Sequence, residues 1–449
     1  MELMIPRGMR DYLPEDKIIR DKIVQALCAT FELYGYAPLE TPAVERFDVL
    51  SSKFAGGEEI LKESFKLKDQ GGRELGLRYD LTVPLARVVG MNPQIKMPFK
   101  RYAIGRVWRD GPVAGARYRE FMQADVDVIG AKGMLADAEC LAIVKDALAR
   151  LGFKFEIFVN NRKLLNAIVK KAGIAGAKAE TVILTIDKLD KIGRKGVENE
   201  LREKKIAEAQ IEALMEMLSA RGENEKVLDE LQGMLGECAG VSELRELLRY
   251  CKLFGVEVQL NVSLARGLSY YTGSIFEVFL KDSKVKSAVV AGGRYDEMIG
   301  ALLGRGANLG TSNAGEGAEG AVAGNQYPAV GLSFGVERLF DAMKERAEKG
   351  GVKAARTNAR VFVIPVQAEE ECVKFVQKLR AQGVNADMDI VGRGPSKNLD
   401  FANKMGIPYV IVLGKRELEK GEFALKDMES GKERKLKIKD IKKLAELVS

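Results

Sequence analysis

Residues 100–130 read KRYAIGRVWRDGPVAGARYREFMQADVDVIG. Apolar and polar residues alternate on both sides of a break marked by Gly111, Pro112 and Gly115, which predicts two strands joined by a loop, an antiparallel hairpin. Successive side chains on a strand alternate faces. The returning strand therefore presents Arg119, Phe121, Gln123, Asp125 and Asp127 together, with Met122, Ala124, Val126 and Val128 behind them. One face is core; the other could hold a phosphate, a flat base and a polar ligand. Arg109 stands just before the loop. The same pattern also reads as a strand laced with cross-strand ion pairs.

A chain of 449 residues is too long for one core, and its length suggests about three domains. No apolar run approaches the roughly 20 residues that span a bilayer, and MELMIPRGMRDYLPED carries charges where a signal peptide needs an apolar block. A cytoplasmic protein with no membrane partner is expected. Cys28, Cys140, Cys238, Cys251 and Cys372 are odd in number and never form a CxxC pair, so they read as core thiols. A net charge of +7 permits an anionic partner without the basic stripe of a DNA binder, and no DNA partner is expected. The chain has no histidine at all. That removes imidazole as base, nucleophile or metal ligand, so no metal site of histidine or cysteine is expected.

Taken in order, the chain opens with PRGMRDYLPED and an amphipathic helix from about Asp16 to Tyr34, bounded by Pro14 and Gly35. GYAPLETPAVERFDVL follows as an extended piece in which Pro42 reads as an edge-strand residue. In LGLRYDLTVPLAR a short strand ends at Asp80, Leu81 and Thr82; Asp80 and Thr82 would share a strand face and could accept from an ammonium group, although the step is also a common helix cap. From about Asn161 to Tyr250 helical spacing takes over, as in Ile211, Leu214, Met215 and Leu218. VEVQLNVSLARGLSYYTGSIFEVFL resumes the sheet. On a regular strand Arg266 and Tyr271 would face opposite ways, so Gly267 should mark a bulge if both line one pocket. AGGRYDEMIG is a Gly-Gly turn with Tyr295 as a pocket wall, and residues 303–325 read as a flexible glycine-rich loop. YPAVGLSFGVERLFDAMKER gives a strand, a break at Gly335 and a helix with Arg338 in its first turn, where an arginine opposes the dipole but suits a bound anion. After the linker KGGVKAARTN, strands and helices alternate to the end as a compact α/β unit.

The 100–130 stretch resembles motif 2 of the class II aminoacyl-tRNA synthetases, in the form carried by the histidyl-tRNA synthetase family. Pro42 resembles the proline of motif 1, YPAVGLSFGVERLF resembles motif 3, and LARGLSYYTG resembles the signature peculiar to histidyl-tRNA synthetases. The resemblance runs over essentially the whole chain. It implies an α+β catalytic domain, an antiparallel sheet flanked by helices, in two parts at 1–160 and 251–350. A helical insertion at 161–250, a linker at 351–357 and an α/β anticodon-binding domain at 358–449 complete the expected chain.

By the same resemblance, Arg109 and Arg266 are catalytic. Asp80, Thr82, Gln123, Asp127, Tyr270, Tyr271 and Tyr295 bind histidine; Arg109, Arg119, Phe121 and Arg338 bind ATP with Mg²⁺. tRNA(His) is the second substrate, and a homodimer forms through motif 1. Ser269 departs from the acidic residue many members carry, which puts support of Arg266 in question. The missing histidine then has three readings: drift, engineering, or an enzyme supplying histidine to translation that needs none for its own synthesis. A non-catalytic regulator of the same fold would typically lack the ATP arginines or the last domain. A zinc-using threonyl type needs a histidine that this chain lacks, and a prolyl or glycyl type would lack RGLSYYTG.

Overall fold

The computed structural model describes residues 2–51, 62–113, 118–266, 270–306, 327–350 and 355–448. The chain forms two compact units, Met1–Arg10 with Ile23–Ala342, and Asp11–Lys22 with Met343–Ser449. Helix Pro14–Leu33 opens the chain.

The first unit is built on an eight-stranded sheet in the order β1-β5-β6-β11-β10-β9-β7-β8. Its strands are β1 (Ala37–Pro38), β5 (Phe99–Trp108), β6 (Glu120–Ile129), β7 (Phe155–Asn161), β8 (Gln259–Leu260), β9 (Ser274–Leu280), β10 (Val290–Arg294) and β11 (Ala329–Gly335). The six central strands pair antiparallel, and the short edges β1 and β8 pair parallel. The edge-strand proline is Pro38, because Pro42 lies in the irregular stretch before β2 (Val44–Arg46). A small sheet, β2-β4-β3, adds β3 (Lys66–Lys68) and β4 (Glu74–Leu77).

β5 and β6 form the hairpin read from the sequence, with Arg101 opposite Asp127, Ala103 opposite Asp125 and Gly105 opposite Gln123. The β-branched and small residues of β6 turn inward: Ala124, Val126 and Val128 are buried. Pairing continues one step past the strands through the Arg109 N–H, which donates to Arg119 O at 2.8 Å. Residues 114–117 of the loop, including Gly115, lie outside the described residues.

Between Arg162 and Leu253 the chain is helical, in six successive helices. The expected glycine-rich loop begins as helix, Met298–Gly306, and residues 307–326 lie outside the described residues. In the second unit, β12 (Val361–Val366), β13 (Ala386–Met388), β14 (Tyr409–Gly414), β15 (Glu422–Asp427) and β16 (Glu433–Lys437) form a mixed sheet in the order β13-β12-β14-β15-β16. Val361 and Val363 enter one core with Phe375 and Leu379, and Phe362 and Ile364 enter another with Ala402 and Ile407. Both faces of β12 are therefore covered, which is why VFVI reads as an unbroken apolar run.

One buried charge cluster fixes the sheet beside the site. Arg294, at the end of β10, pairs with Asp137, which also accepts from the Ser274 hydroxyl; Arg294 Nη1 donates to Ala131 O at 2.8 Å. Removing one partner leaves the other charge buried and unpaired, at roughly 3–5 kcal/mol. Asp137→Ala is expected to lower unfolding free energy by about that amount in urea titration. A loss below about 1 kcal/mol would mean that the cluster is not structural.

Candidate active site

A cavity of about 560 Å³ opens on the face of the large sheet. β6 supplies Gln123, Asp125 and Asp127, and β11 supplies Gly331, Leu332 and Ser333. Asp80, Thr82, Arg109, Arg266, Tyr270, Tyr271 and Tyr295 complete the chemistry-bearing wall. Nine residues expected to be catalytic or to bind the amino acid thus meet in one place.

One local expectation was wrong about how they get there. Asp80 and Thr82 do not share a strand face: β4 ends at Leu77, and Thr82 opens helix Thr82–Met91. Asp80 Oδ1 accepts from the Val83 N–H at 3.0 Å, so the helix-cap reading of that step also holds. The cap aims the carboxylate while satisfying a free N–H of the first turn. Tyr270 and Tyr271 stand in irregular chain before β9, which starts at Ser274, and both line the cavity with Arg266. Gly267 and Ser269 lie outside the described residues.

Asp127 is the hub of the polar end. Its Oδ1 accepts from the Tyr295 hydroxyl. Its Oδ2 lies 2.7 Å from Arg101 Nη2, close as an ion pair but off the line of a hydrogen bond, which leaves that oxygen with acceptor capacity. Arg101 is fully buried and also donates to Leu81 O at 3.1 Å. Burial pushes the Asp127 carboxyl up, while Arg101 and the Tyr295 hydroxyl pull it back. Burial also raises the Tyr271 and Tyr295 phenols, so both remain protonated donors. Gly331 makes this packing possible, because a Cβ there would lie 2.0 Å from Asp127 Oδ1.

Burial lifts the Asp80 carboxyl to about 6, although the Val83 N–H and Arg109 oppose it. Burial lifts Asp125 to about 7, with Asp127 and Asp80 adding to the rise and Arg101 opposing it. Gln123 Nε2 donates to Ser333 Oγ at 2.8 Å.

At the other end lie guanidiniums. Arg266 Nη1 donates to Glu277 Oε1 at 2.6 Å. Arg109 Nε donates to Tyr79 O at 3.2 Å, and its guanidinium sits over the Phe121 ring at 5.1 Å. Arg338 donates to Ala288 O, and burial followed by repulsion from Arg266 and Arg109 holds it below the ordinary arginine range. Arg338, disfavoured by burial and by two neighbouring guanidiniums, marks a place that an anion would relieve.

Arg119, Phe121 and Arg338 do not line the cavity itself. Arg119 is engaged with Asp110 at 3.2 Å and with Gly111 O, and Phe121 packs beside Leu81, Ala103 and Val107. The sequence reading missed Arg101, Gly331 and Ser333. Two signals were available: register across the hairpin puts Arg101 opposite Asp127, and Ala329, Gly331, Ser333 and Gly335 make one strand face conspicuously small.

A family model described as histidyl-tRNA synthetase matches residues 8–339, and one described as an anticodon binding domain matches residues 360–446. The chain belongs to the histidyl-tRNA synthetase family. Histidine–tRNA ligase 1 of Bacillus cereus is 39% identical over 445 residues, covering 98% of this chain and 99% of that protein. The crystal structure of histidyl-tRNA synthetase from a Nostoc species superposes with a TM-score of 0.83 at 29% identity, over 99% of this chain and 100% of that one. A structure titled as an ATP phosphoribosyltransferase regulatory subunit/histidyl-tRNA synthetase from Bacillus halodurans shares the fold, with a TM-score of 0.73 at 22% identity over 92% of this chain and 99% of that one.

The raised carboxyls of this histidyl-tRNA synthetase family member have a thermodynamic consequence. Between about pH 4 and pH 7 the folded chain holds protons on Asp80 and Asp125 that the unfolded chain has released. Their contribution to stability is full below about pH 4 and is lost as pH rises through about 6 and about 7. Asp125→Asn is therefore expected to gain stability relative to the parent as pH increases from 5 to 8, measured by urea unfolding at each pH. A stability difference that does not grow with pH would contradict the burial argument.

Gly331→Ala is expected to keep the fold yet raise KM for the amino acid at least tenfold, by displacing Asp127. An unchanged KM would contradict Asp127's placement.

Proposed function

We propose that this chain is a histidine–tRNA ligase that activates histidine with ATP and transfers it to tRNA(His). One cavity with carboxylates, phenols and an amide at one end and guanidiniums at the other supports this reading. Asp80, Thr82 and Gln123 hold the ammonium group. Asp127 accepts from one imidazole nitrogen while Tyr271 engages the other, with Tyr270 and Tyr295 as walls. A site that bonds both ring nitrogens rejects apolar analogues strongly, because its buried polar groups would go unpaired, by about 10⁴-fold in comparable sites.

In the first step a carboxylate oxygen of histidine attacks the α-phosphorus of ATP. A new P–O bond forms, the bond to the bridging oxygen breaks, and pyrophosphate leaves with its electron pair. The protein supplies position and charge. Arg109 and Arg266 take up the charge that grows on the α-phosphate oxygens, Arg338 grips the γ-phosphate, Arg119 contributes a further phosphate contact, and adenine stacks on Phe121. Arg119 reaches its position by leaving Asp110 and Gly111 O in the hairpin loop, and Phe121 by leaving Leu81, Ala103 and Val107.

Mg²⁺ enters with ATP as part of the substrate. Among the described residues no group of three His, Cys, Asp or Glu side chains could hold a metal ion. In the second step the terminal ribose hydroxyl of tRNA(His) attacks the activated carbonyl and AMP leaves. No protein imidazole can accept the hydroxyl proton, since the chain has none.

The second unit binds the anticodon arm, and its 18 Lys+Arg against 14 Asp+Glu from Asn358 to Ser449 suit an RNA partner. The enzyme works in the cytoplasm as a homodimer. Retention of Arg109, Arg266 and Arg338 supports an enzyme over a non-catalytic regulator of the same fold.

Pyrophosphate exchange with ATP, assayed without tRNA for each of the twenty amino acids, should proceed with histidine alone. Exchange with another amino acid, or with none, would overturn the reading. Asp127→Ala should abolish histidine-dependent exchange while leaving ATP binding within about twofold, since its partners lie at the polar end. Exchange near the parent rate would remove Asp127 from the site.

A further inference from the structure

If the cavity is a histidine site, the charge count at its polar end leaves one carboxylate over. Asp80, Asp125 and Asp127 all open onto it. Arg101 faces Asp127, and the ammonium group of an amino acid answers a second carboxylate. Lys62 and Glu63, also on the wall, cancel each other. Arg109 and Arg266 belong to the opposite end, the latter already paired with Glu277.

The carboxylate left over is Asp125. It is 3% exposed, and its Oδ1 has no hydrogen-bond partner. On β6 it lies between Gln123 and Asp127, on the face that lines the cavity. Gln123 Oε1 is unpartnered as well, its amide being turned that way by the bond from Nε2 to Ser333. Two bare acceptors side by side call for a donor from the substrate.

The groups that act on Asp125 come from every neighbouring element. They are Arg101 on β5, Asp127 on β6, the Ser333 hydroxyl on β11, Asp80 and Arg78 after β4, and the Tyr271 and Tyr295 phenols. Only two are cations. Arg101 is already committed to Asp127, and Arg78 donates to Thr41 O at 2.6 Å and to Arg106 O at 3.0 Å. A buried carboxylate with no cation of its own acquires a proton or a cationic ligand.

We propose that this pocket binds histidine together with one proton, carried either by the Asp125 carboxyl or by the imidazole ring whose two nitrogens Asp127 and Tyr271 hold. No covalent bond changes. Below neutrality the proton is already on Asp125 or on free histidine; above it, solvent supplies it. The empty pocket is poised for this, since burial and the neighbouring carboxylates lift Asp125 to about 7. Asparagine and glutamine offer amide groups of similar reach but no site that carries a proton near neutral pH. The proton thus adds to the discrimination that hydrogen bonds alone provide.

Free imidazole is neutral at about pH 8 and Asp125 is mostly ionised there, so binding must take up close to one proton. Calorimetric titration of the intact protein with histidine at about pH 8, in phosphate and in Tris, reads that number from the difference in heats. The expected result is close to one proton for the parent and near zero for Asp125→Asn, which keeps the shape without the titrating group. In parallel, KM for histidine in pyrophosphate exchange should rise about tenfold per pH unit above about 7.5 in the parent and stay flat in the variant. Zero uptake by the parent overturns the proposal even if no variant folds, and so does equal uptake by parent and variant. Absence of any histidine binding would overturn the reading of the cavity itself, and the proposal with it.

Discussion

The pairing of Arg101 with Asp127 is the constraint on which the recognition end depends. A guanidinium with no solvent exposure faces a carboxylate that is 2% exposed, across adjacent strands of one hairpin. Such a pair is poor value as pure stabilisation, since desolvating two charges cancels much of their attraction. Here it ties three elements together. Arg101 also bonds Leu81 O beside the helix that Asp80 caps, and Tyr295 bonds Asp127 from the far side of β11. The strand between them can carry Gly331 at that point and nothing larger without displacement.

The opposite end follows a different logic. Arg109 and Arg266 lie near enough to Arg338 to depress its charge, and Glu277, paired with Arg266, offsets only part of that. That repulsion is tolerable because the guanidiniums are spread over a strand end, an irregular segment and a helix start, each anchored by a backbone carbonyl or a carboxylate. An anion relieves it, and the relief is greatest where negative charge grows during reaction. A chain without histidine can run this chemistry because it asks for charge and position rather than for a protein imidazole.

Much of this was legible in the residues. Alternation in EFMQADVDVI gave the right face of β6, and the breaks around Gly111 and Pro112 gave the hairpin. Asp80 and Thr82 line the cavity from a different element than expected: Leu-Arg-Tyr-Asp reads as strand until the carboxylate is seen capping Val83. Arg266, Tyr270 and Tyr271 each stand outside any strand, where alternation cannot place a side chain. Arg101 was hidden because a buried arginine looks like a surface one in a sequence, and its register across the hairpin was needed to place it. The roles assigned to Arg119 and Phe121 came from resemblance, and here both side chains are engaged elsewhere.

The most direct measurement is a crystal structure of the protein with histidine bound. The imidazole nitrogens should lie within hydrogen-bond distance of Asp127 and Tyr271, with the ammonium group on Asp80, Thr82 and Gln123 and the carboxylate toward Arg109 and Arg266. Histidine bound with its ring toward the arginines, or outside this cavity, would contradict this placement.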